Sequence, residues 1–454
     1  MNLNKNSLNY PLNAIYGANM CYAIPGKVKE LCGKMAIVDY FGEERKAHNE
    51  FDDLKIGDYI YAQGGYVIKK LARQDAEEIL AVWKETFFEL QEVDVRLSRI
   101  DLEKSGIDKK RSQILDRAAE GLPPKKEDLL YVLASESSSE NELFFKTANF
   151  LRQKYLKNSC CVHGILEISN YCSCHCTYCG ISLENKSLKR YKMTPDEIVD
   201  AAYNAIENYG FKALVLQSGE DAGYTIDELA YVIRTIKEKA PALIFISFGE
   251  VGIDGLQKLF NAGARGLLMR FETSNPDLYT KIHPGKSLDT RIEHIKRAYE
   301  MGYLIITGGL VGLPGQTIED IVEDIYFTKE LHAEMYSYGP FIPHPDTSLK
   351  DEKPIEEETM LKVLAAARLV DPEEAKILVT TAFETLSVEA RKKGLLSGAN
   401  SVMLNVTPIS LRKQYDIYPN RAYRGEEIQK QIDETIGLLG SLGRAPTDLS
   451  VTEK

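Results

Sequence analysis

From about Cys160 almost to its end, the chain repeats one unit: a short apolar run followed by a longer stretch of helical pattern. The apolar runs are residues 165–168, 213–216, 243–248, 266–269, 304–307, 335–338, 377–379 and 401–404. Each is bounded by turn residues and reads as a buried strand. The stretches between them carry helix signals: residues 195–209 follow Thr194, a cap with Glu197 at the third position. Eight strands, each followed by a helix, predict an α/β fold, a (β/α)8 barrel of the TIM type. Such a barrel places its functional groups just past the carboxyl ends of the strands.

The first strand runs into Asn170-Tyr171-Cys172-Ser173-Cys174-His175-Cys176-Thr177-Tyr178-Cys179-Gly180, which holds four of the eight cysteines. Cys172, Cys176 and Cys179 have the spacing C-x3-C-x2-C. Thiolates in a tight loop hold soft metal, and iron–sulfur clusters are held by cysteine. Three thiolates leave one iron of a four-iron cube open, as a substrate-binding metal must be. A zinc knot needs two separated ligand pairs, and no cysteine follows Cys179. The spacing, with the aromatic Tyr178 before the last cysteine, resembles the radical S-adenosylmethionine (SAM) family. The resemblance implies a [4Fe–4S] cluster whose open iron is chelated by the amino and carboxylate groups of SAM. It also implies reductive cleavage of SAM to methionine and a 5′-deoxyadenosyl radical. Cys174 is read as a bystander.

Polar groups stand past every later strand: Gln217-Ser218-Gly219-Glu220-Asp221, Gly249-Glu250, Arg270-Phe271-Glu272-Thr273, Gly308-Gly309 with Val311-Gly312-Leu313-Pro314-Gly315, Gly339 to Asp346, Thr380-Thr381, and Asn405 with Thr407. Glycines let a backbone approach a ligand closely. Glu250 and Glu272 suit an amino group or ribose hydroxyls, and Arg270 or Arg291 suits a carboxylate as a bidentate fork. His344, between two prolines, is read as fixing its loop.

Residues 160–420 resemble one branch of that family, the HydE-type maturases of [FeFe]-hydrogenase, with biotin synthase and methylornithine synthase as near relatives. The matching motifs are Asn170 to Gly180, Leu188-Lys189-Arg190-Tyr191 with Met193-Thr194-Pro195, Leu216 to Asp221, Arg270 to Asn275, Val311 to Thr317, Gly339 to Thr347, Thr380-Thr381-Ala382 and Gly398-Ala399-Asn400. The resemblance implies SAM contacts from Tyr178, Gly219, Glu220, Glu250, Glu272, Arg291 and Leu313. It implies a substrate pocket faced by Arg270, Thr380, Thr381 and Tyr415. The chain departs from the pattern at Phe383-Glu384, whose effect on the pocket stays open, and at residues 403–406. A sulfur-donating second cluster, as in biotin synthase, is disfavoured because no cysteine follows Cys179.

The N-terminal part has another character. Strand-like runs at 35–41 and 58–63, broken by Gly33, Gly42, Gly57 and Gly64-Gly65, suggest a small OB-like β-barrel. A helix is expected over 75–90, with Asp75 and Glu78 as cap pair and Ile79, Leu80, Trp83, Phe87 and Leu90 on one face. Met20-Cys21-Tyr22-Ala23-Ile24-Pro25-Gly26-Lys27-Val28 and Gly57-Asp58-Tyr59 resemble the HypC/HupF family of hydrogenase-assembly chaperones. That resemblance implies an iron complex carried by Cys21. Gln63 stands where the family has a histidine, a far better iron ligand. Metal carriage and a purely structural or docking role both stay open for this domain.

The expected organisation is a polar extension at 1–19, a HypC-like barrel with its helix at 20–92, a helical linker and prelude at 93–158, the large barrel at 159–440 and a tail at 441–454. A net charge of −11 gives no nucleic-acid footprint. No apolar run approaches the ~20 residues of a membrane span, and residues 1–18 lack the apolar core of a secretion signal. Cysteines at metal spacing suit a reducing cytoplasm. Two hydrogenase-assembly resemblances in one chain imply a maturation enzyme acting on a small-molecule or organometallic iron substrate, with other maturation proteins and an electron donor as partners. The alternatives are a methylornithine synthase-like or other biotin synthase-related enzyme acting on an amino-acid-like substrate, and a non-catalytic metal-carrier scaffold.

Overall fold

In the computed structural model, which describes residues 22–101 and 106–450, eight parallel strands close on themselves. Five short strands form a smaller barrel ahead of them: β1 (Gly26–Cys32), β2 (Met35–Tyr40), β3 (Glu43–His48), β4 (Tyr59–Gln63) and β5 (Tyr66–Leu71), closed in the order β1-β2-β3-β5-β4. Strand β3 escaped the sequence reading because Glu-Glu-Arg-Lys-Ala-His is almost wholly charged; it buries only Arg45 and Ala47, two residues apart on one face. A helix, α1 (Arg73–Leu97), follows. It begins two residues before the expected Asp75 and runs beyond Leu90. Asp75 therefore lies in its first turn, and no side chain caps it. Phe87 packs into the small barrel with Leu80, Trp83 and Leu90 beside it.

The large barrel consists of β6 (Ser159–Ser169), β7 (Ala213–Ser218), β8 (Leu243–Ser247), β9 (Gly266–Leu268), β10 (Leu304–Thr307), β12 (Met335–Tyr336), β14 (Lys376–Val379) and β15 (Ser401–Asn405). The closing pair is β15–β6, from Ser401↔Cys161 to Asn405↔Ile165. Two two-residue strands, β11 (Leu310–Val311) and β13 (Gly339–Pro340), pair beyond β10 and β12 and extend the wall at the carboxyl end. Phe245 fills the interior because its neighbour is Gly266: a Cβ there would lie 1.8 Å from the ring. Thr194 and Glu197 form the expected capping box, but the helix they start tightens no further than Tyr203 before widening into a π-helical turn over Asn204–Asn208.

The segment expected as a tail is built into the fold as far as Ser450. Its strand β16 (Ala445–Pro446) pairs with the start of β6, and Leu449 is fully buried. The small barrel sits against the amino-terminal end of the large one. Tyr61, Tyr66 and Ile68 share one apolar cluster with Val215, Leu243, Phe245, Leu304 and Met335. Fully burying such side chains contributes roughly 1.5–3 kcal/mol each. The β4–β5 turn enters so closely that a Cβ on Gly64 would lie 2.7 Å from Leu243 Cδ2 and 2.9 Å from Leu304 Cδ1. No helix of the described residues is long and apolar enough to cross a membrane.

Asp94 of α1 joins these parts electrostatically. It accepts from Arg152 Nη1 and Nη2 at 2.7 and 2.8 Å, and Arg444 Nε lies 2.9 Å away; all three residues are buried. Arg152 belongs to the helix Ser138–Leu156 and Arg444 to the segment before β16. Burial and the neighbouring Arg152 pull Arg444 down to about 10. Removing one partner of such a group leaves buried charge uncompensated, at a cost of about 3–5 kcal/mol. Asp94→Ala is therefore expected to lower the denaturation midpoint markedly, and a midpoint equal to the parent's would remove this network from the account of stability.

Candidate active site at the carboxyl end of the barrel

Asn170 and Arg190 shape the cysteine loop after β6. Asn170 Nδ2 donates to the carbonyls of Lys189 and Gln414, and its Oδ1 accepts from Tyr191 N at 2.7 Å. The Arg190 guanidinium donates to the carbonyls of Asn170, Ile181, Ser182 and Asn185. Four carbonyls on one cation hold the loop in a single shape. Across from it, the residue after β7 must be glycine: a Cβ on Gly219 would lie 2.3 Å from Tyr171 O and 2.7 Å from Cys172 Cβ.

The loop forms one wall of a cavity of about 230 Å³, lined by Cys172, Cys176, Cys179, Tyr178, Gly219 and Glu220 on that side. Arg270, Glu272, His283, Arg291, Tyr415 and Tyr418 line it as well. Burial pushes the Cys179 thiol up to about 12. A thiolate at that depth needs a cation beside it, which is the condition a cluster iron supplies. Cys174 lines the same cavity, while its carbonyl accepts from Leu183 N and Ser182 Oγ.

Four charged side chains form one network of alternating sign, of which Glu220 and Arg291 line the cavity. Lys286 Nζ lies 2.6 Å from Glu220 and 3.1 Å from Glu250; Arg291 lies 3.3 Å from Glu220 and 3.0 Å from Glu250. The Lys286 and Arg291 charges hold the Glu220 carboxyl below the usual range although its burial acts in the opposite sense. Lys286 was missed by sequence reasoning. Its only signal is Pro284-Gly285-Lys286, a turn between two helices rather than a strand end.

Glu272 has a positive φ of 67°, rare for a non-glycine residue. The turn is held by Glu272 N donating to Gly308 O at 3.1 Å and Leu310 N donating to Glu272 O at 2.8 Å. Arg270 pairs with Glu272 Oε1 at 3.1 Å, while Glu272 Oε2 is buried without a hydrogen-bond partner among the described residues. Burial raises the Glu272 carboxyl. An unmet acceptor facing a polar cavity fits a donor such as an ammonium or hydroxyl. The thiol set and this acceptor together suit a cluster and a zwitterionic cofactor.

The remaining expected residues divide. Tyr415 lines the cavity, its hydroxyl accepting from Gln217 at 3.2 Å. Thr381 Oγ1 lies 2.9 Å from the hydroxyl of Tyr418, which the sequence reading did not single out. Thr380 caps the short helix Thr381–Glu384 by accepting from Phe383 N. Leu313 sits behind the cavity, packed with Tyr178, Leu310 and Phe341. Glu384 is not among the residues lining the cavity; its buried carboxylate is taken by Arg391 at 2.6 and 2.9 Å. His344 fixes its loop, with Nδ1 accepting from Asp346 N and the carbonyl accepting from Thr347. Cys21 lies outside the described residues. Gln63 is fully buried, and neither atom of its amide has a partner among the described residues.

Comparison with known proteins agrees with this geometry. Residues 166–327 match the radical SAM superfamily, 20–83 the HupF/HypC family, and 339–439 the biotin and thiamin synthesis associated domain. The chain is 39% identical over 321 residues to the [FeFe] hydrogenase maturase subunit HydE of Thermotoga maritima, covering 71% of this chain and 91% of that protein. It is 27% identical over 333 residues to the 3-methylornithine synthase of Methanosarcina acetivorans, covering 73% and 93%. The crystal structure of methylornithine synthase (PylB) superposes with a TM-score of 0.65 at 25% identity, covering 73% of this chain and 97% of that one. The maturase HydG shares the fold, with a TM-score of 0.63 at 19% identity, covering 80% and 78%. The chain belongs to the HydE family of radical SAM enzymes, which use a [4Fe–4S] cluster and SAM, and it carries a HypC-like domain ahead of the barrel.

Proposed function

We propose that this enzyme cleaves SAM reductively in the maturation of a hydrogenase cofactor, acting on a small iron–cysteine organometallic complex. The observation that carries the reading is that three thiols line one cavity at the carboxyl end of the barrel together with Glu220 and Arg291, which belong to an alternating Glu/Lys/Arg network. The HypC-like domain, from a family of assembly chaperones, favours hydrogenase maturation over amino-acid synthesis.

Cys172, Cys176 and Cys179 would hold the cluster, which supplies the electron that turns SAM into methionine and a 5′-deoxyadenosyl radical. The protein's residues orient and shield. Arg291 presents a fork to the methionine carboxylate. Glu220 and Glu250 would then exchange part of their pairing with Arg291 for donors on the cofactor, while Lys286 stays paired with both. Glu272 receives a donor at its unmet oxygen. Tyr178 faces the cavity beside the loop thiols, its hydroxyl 3.2 Å from His283 Nε2. Burial and the neighbouring Arg291 push that imidazole down to about 3, so it stays neutral and accepts. Arg270, Thr380, Thr381 and Tyr415 form the side toward a substrate, where an arginine and hydroxyls suit an anionic, hydrogen-bonding complex.

Two measurements test the reading. Anaerobic protein reconstituted with iron and sulfide, then given dithionite and SAM, is expected to yield 5′-deoxyadenosine. Cys176→Ala abolishes that product, whereas Cys174→Ser retains four irons per chain; no product from the parent protein would favour a metal-carrying scaffold. Arg291→Ala removes a charged hydrogen-bonding partner worth about 1.5–3 kcal/mol. It should weaken SAM binding roughly 10- to 100-fold, read from the cluster's electron paramagnetic resonance signal as SAM is titrated in.

A further inference from the structure

At the opposite end of β6 lies a second group of ligating side chains. Cys161 and His163 are two residues apart on the strand, so both point into the base of the barrel. Asp448 reaches them from the segment after β16. One donor atom from each lies within 4.8 Å of the other two, and all three residues are buried. His163 Nε2 stands 3.3 Å from Asp448 Oδ2, which also accepts from Thr447 Oγ1 at 2.7 Å. His163 Nδ1 is buried with no hydrogen-bond partner among the described residues. A pocket of about 10 Å³ adjoins the group, lined also by Gly64 of the small barrel, Glu334, Met335 and Lys376. That is room for about one water-sized species.

We propose that Cys161, His163 and Asp448 bind one divalent transition-metal ion, zinc or iron(II), at the base of the barrel. A thiolate, an imidazole and a carboxylate are the donor set of such borderline ions, with a water in the pocket as fourth ligand. Bond lengths of about 2.0–2.3 Å put the donors of a tetrahedral site roughly 3.5 Å apart, so the present spacing closes by small side-chain rotations. Charge balances as well. Lys376 pairs with Glu334, leaving the Cys161 thiolate and the Asp448 carboxylate to offset the two charges of the ion. The Cys161 thiol gives its proton to solvent as its sulfur bonds the metal.

A Cys–His–Asp nucleophile is the competing use of these residues, but a pocket of about 10 Å³ admits no organic substrate. The ion would instead tie β6 to the C-terminal segment directly beneath the Gly64 turn. It is separate from the cluster loop, which leaves the other end of the same strand.

The test uses full-length protein whose cluster is already loaded, with iron measured at four per chain, so that the loop thiols are occupied. Dialysis against zinc is expected to add one zinc per chain. X-ray absorption at the zinc edge should show a single sulfur at about 2.3 Å with nitrogen or oxygen at about 2.0 Å. Cys161→Ser and Asp448→Asn lose the zinc, while Cys32→Ser, at an exposed thiol, keeps it. The proposal falls if the parent binds no zinc, if both variants retain it, or if the spectrum shows no sulfur or several. Should the variants fail to fold, the parent's spectrum decides alone.

Discussion

Closure of the large barrel rests on β6. It is the longest strand, 11 residues, and it pairs with β7 on one side and β15 on the other while β16 continues beside its first residues. A barrel has no edge only when its first and last strands meet, so β6 must satisfy both neighbours along its length. Its buried residues include Cys160, Val162, Leu166 and Ile168, with Cys161 and His163 turned to the interior. The cysteine loop begins where this strand ends. Its position is therefore inherited from the most constrained part of the sheet, which is where a metal-holding loop gains most in precision.

The cavity at that end carries its own counter-charges. Glu220 and Glu250 each touch both Lys286 and Arg291, and Glu272 touches Arg270. Unpaired charges at such depth would be costly. Paired ones are compensated and held in place, so the cavity presents donors and acceptors already aimed. The strained backbone of Glu272 belongs to the same economy of position: Gly308 and Gly309 let the β10 loop approach its main chain, with a Cβ on Gly309 lying 2.6 Å from Glu272 O.

All eight barrel strands were legible as apolar runs because each is buried on both faces. The cysteine loop was legible from spacing, and Glu220, Glu272 and Arg270, which line the cavity, from their places past strand ends. What stayed hidden depends on contacts between distant segments. Lys286 reaches the site from a turn between helices, and Tyr418 from beyond the last strand. The Glu384–Arg391 pair spans two short helices with no periodicity linking them. Strand β3 hides behind its charge, and β16 is only two residues long.

The small barrel bears on the large one through the same logic. The amino-terminal end of a (β/α)8 barrel exposes the first interior layer unless something covers it, here Leu243, Leu304 and Met335. The β4–β5 turn covers it with Tyr61, Tyr66 and Ile68, and Tyr66 donates its hydroxyl to Gly302 O at 3.2 Å. Arg265, which follows the helix before β9, pairs with Glu50 at 2.8 Å on the flank. A turn without side chains is needed at the tip, which explains Gly64. The two barrels thus share one apolar cluster instead of meeting across a polar surface. Their orientation is set by burial at one end, and the open cavity with its charged walls is left to the other.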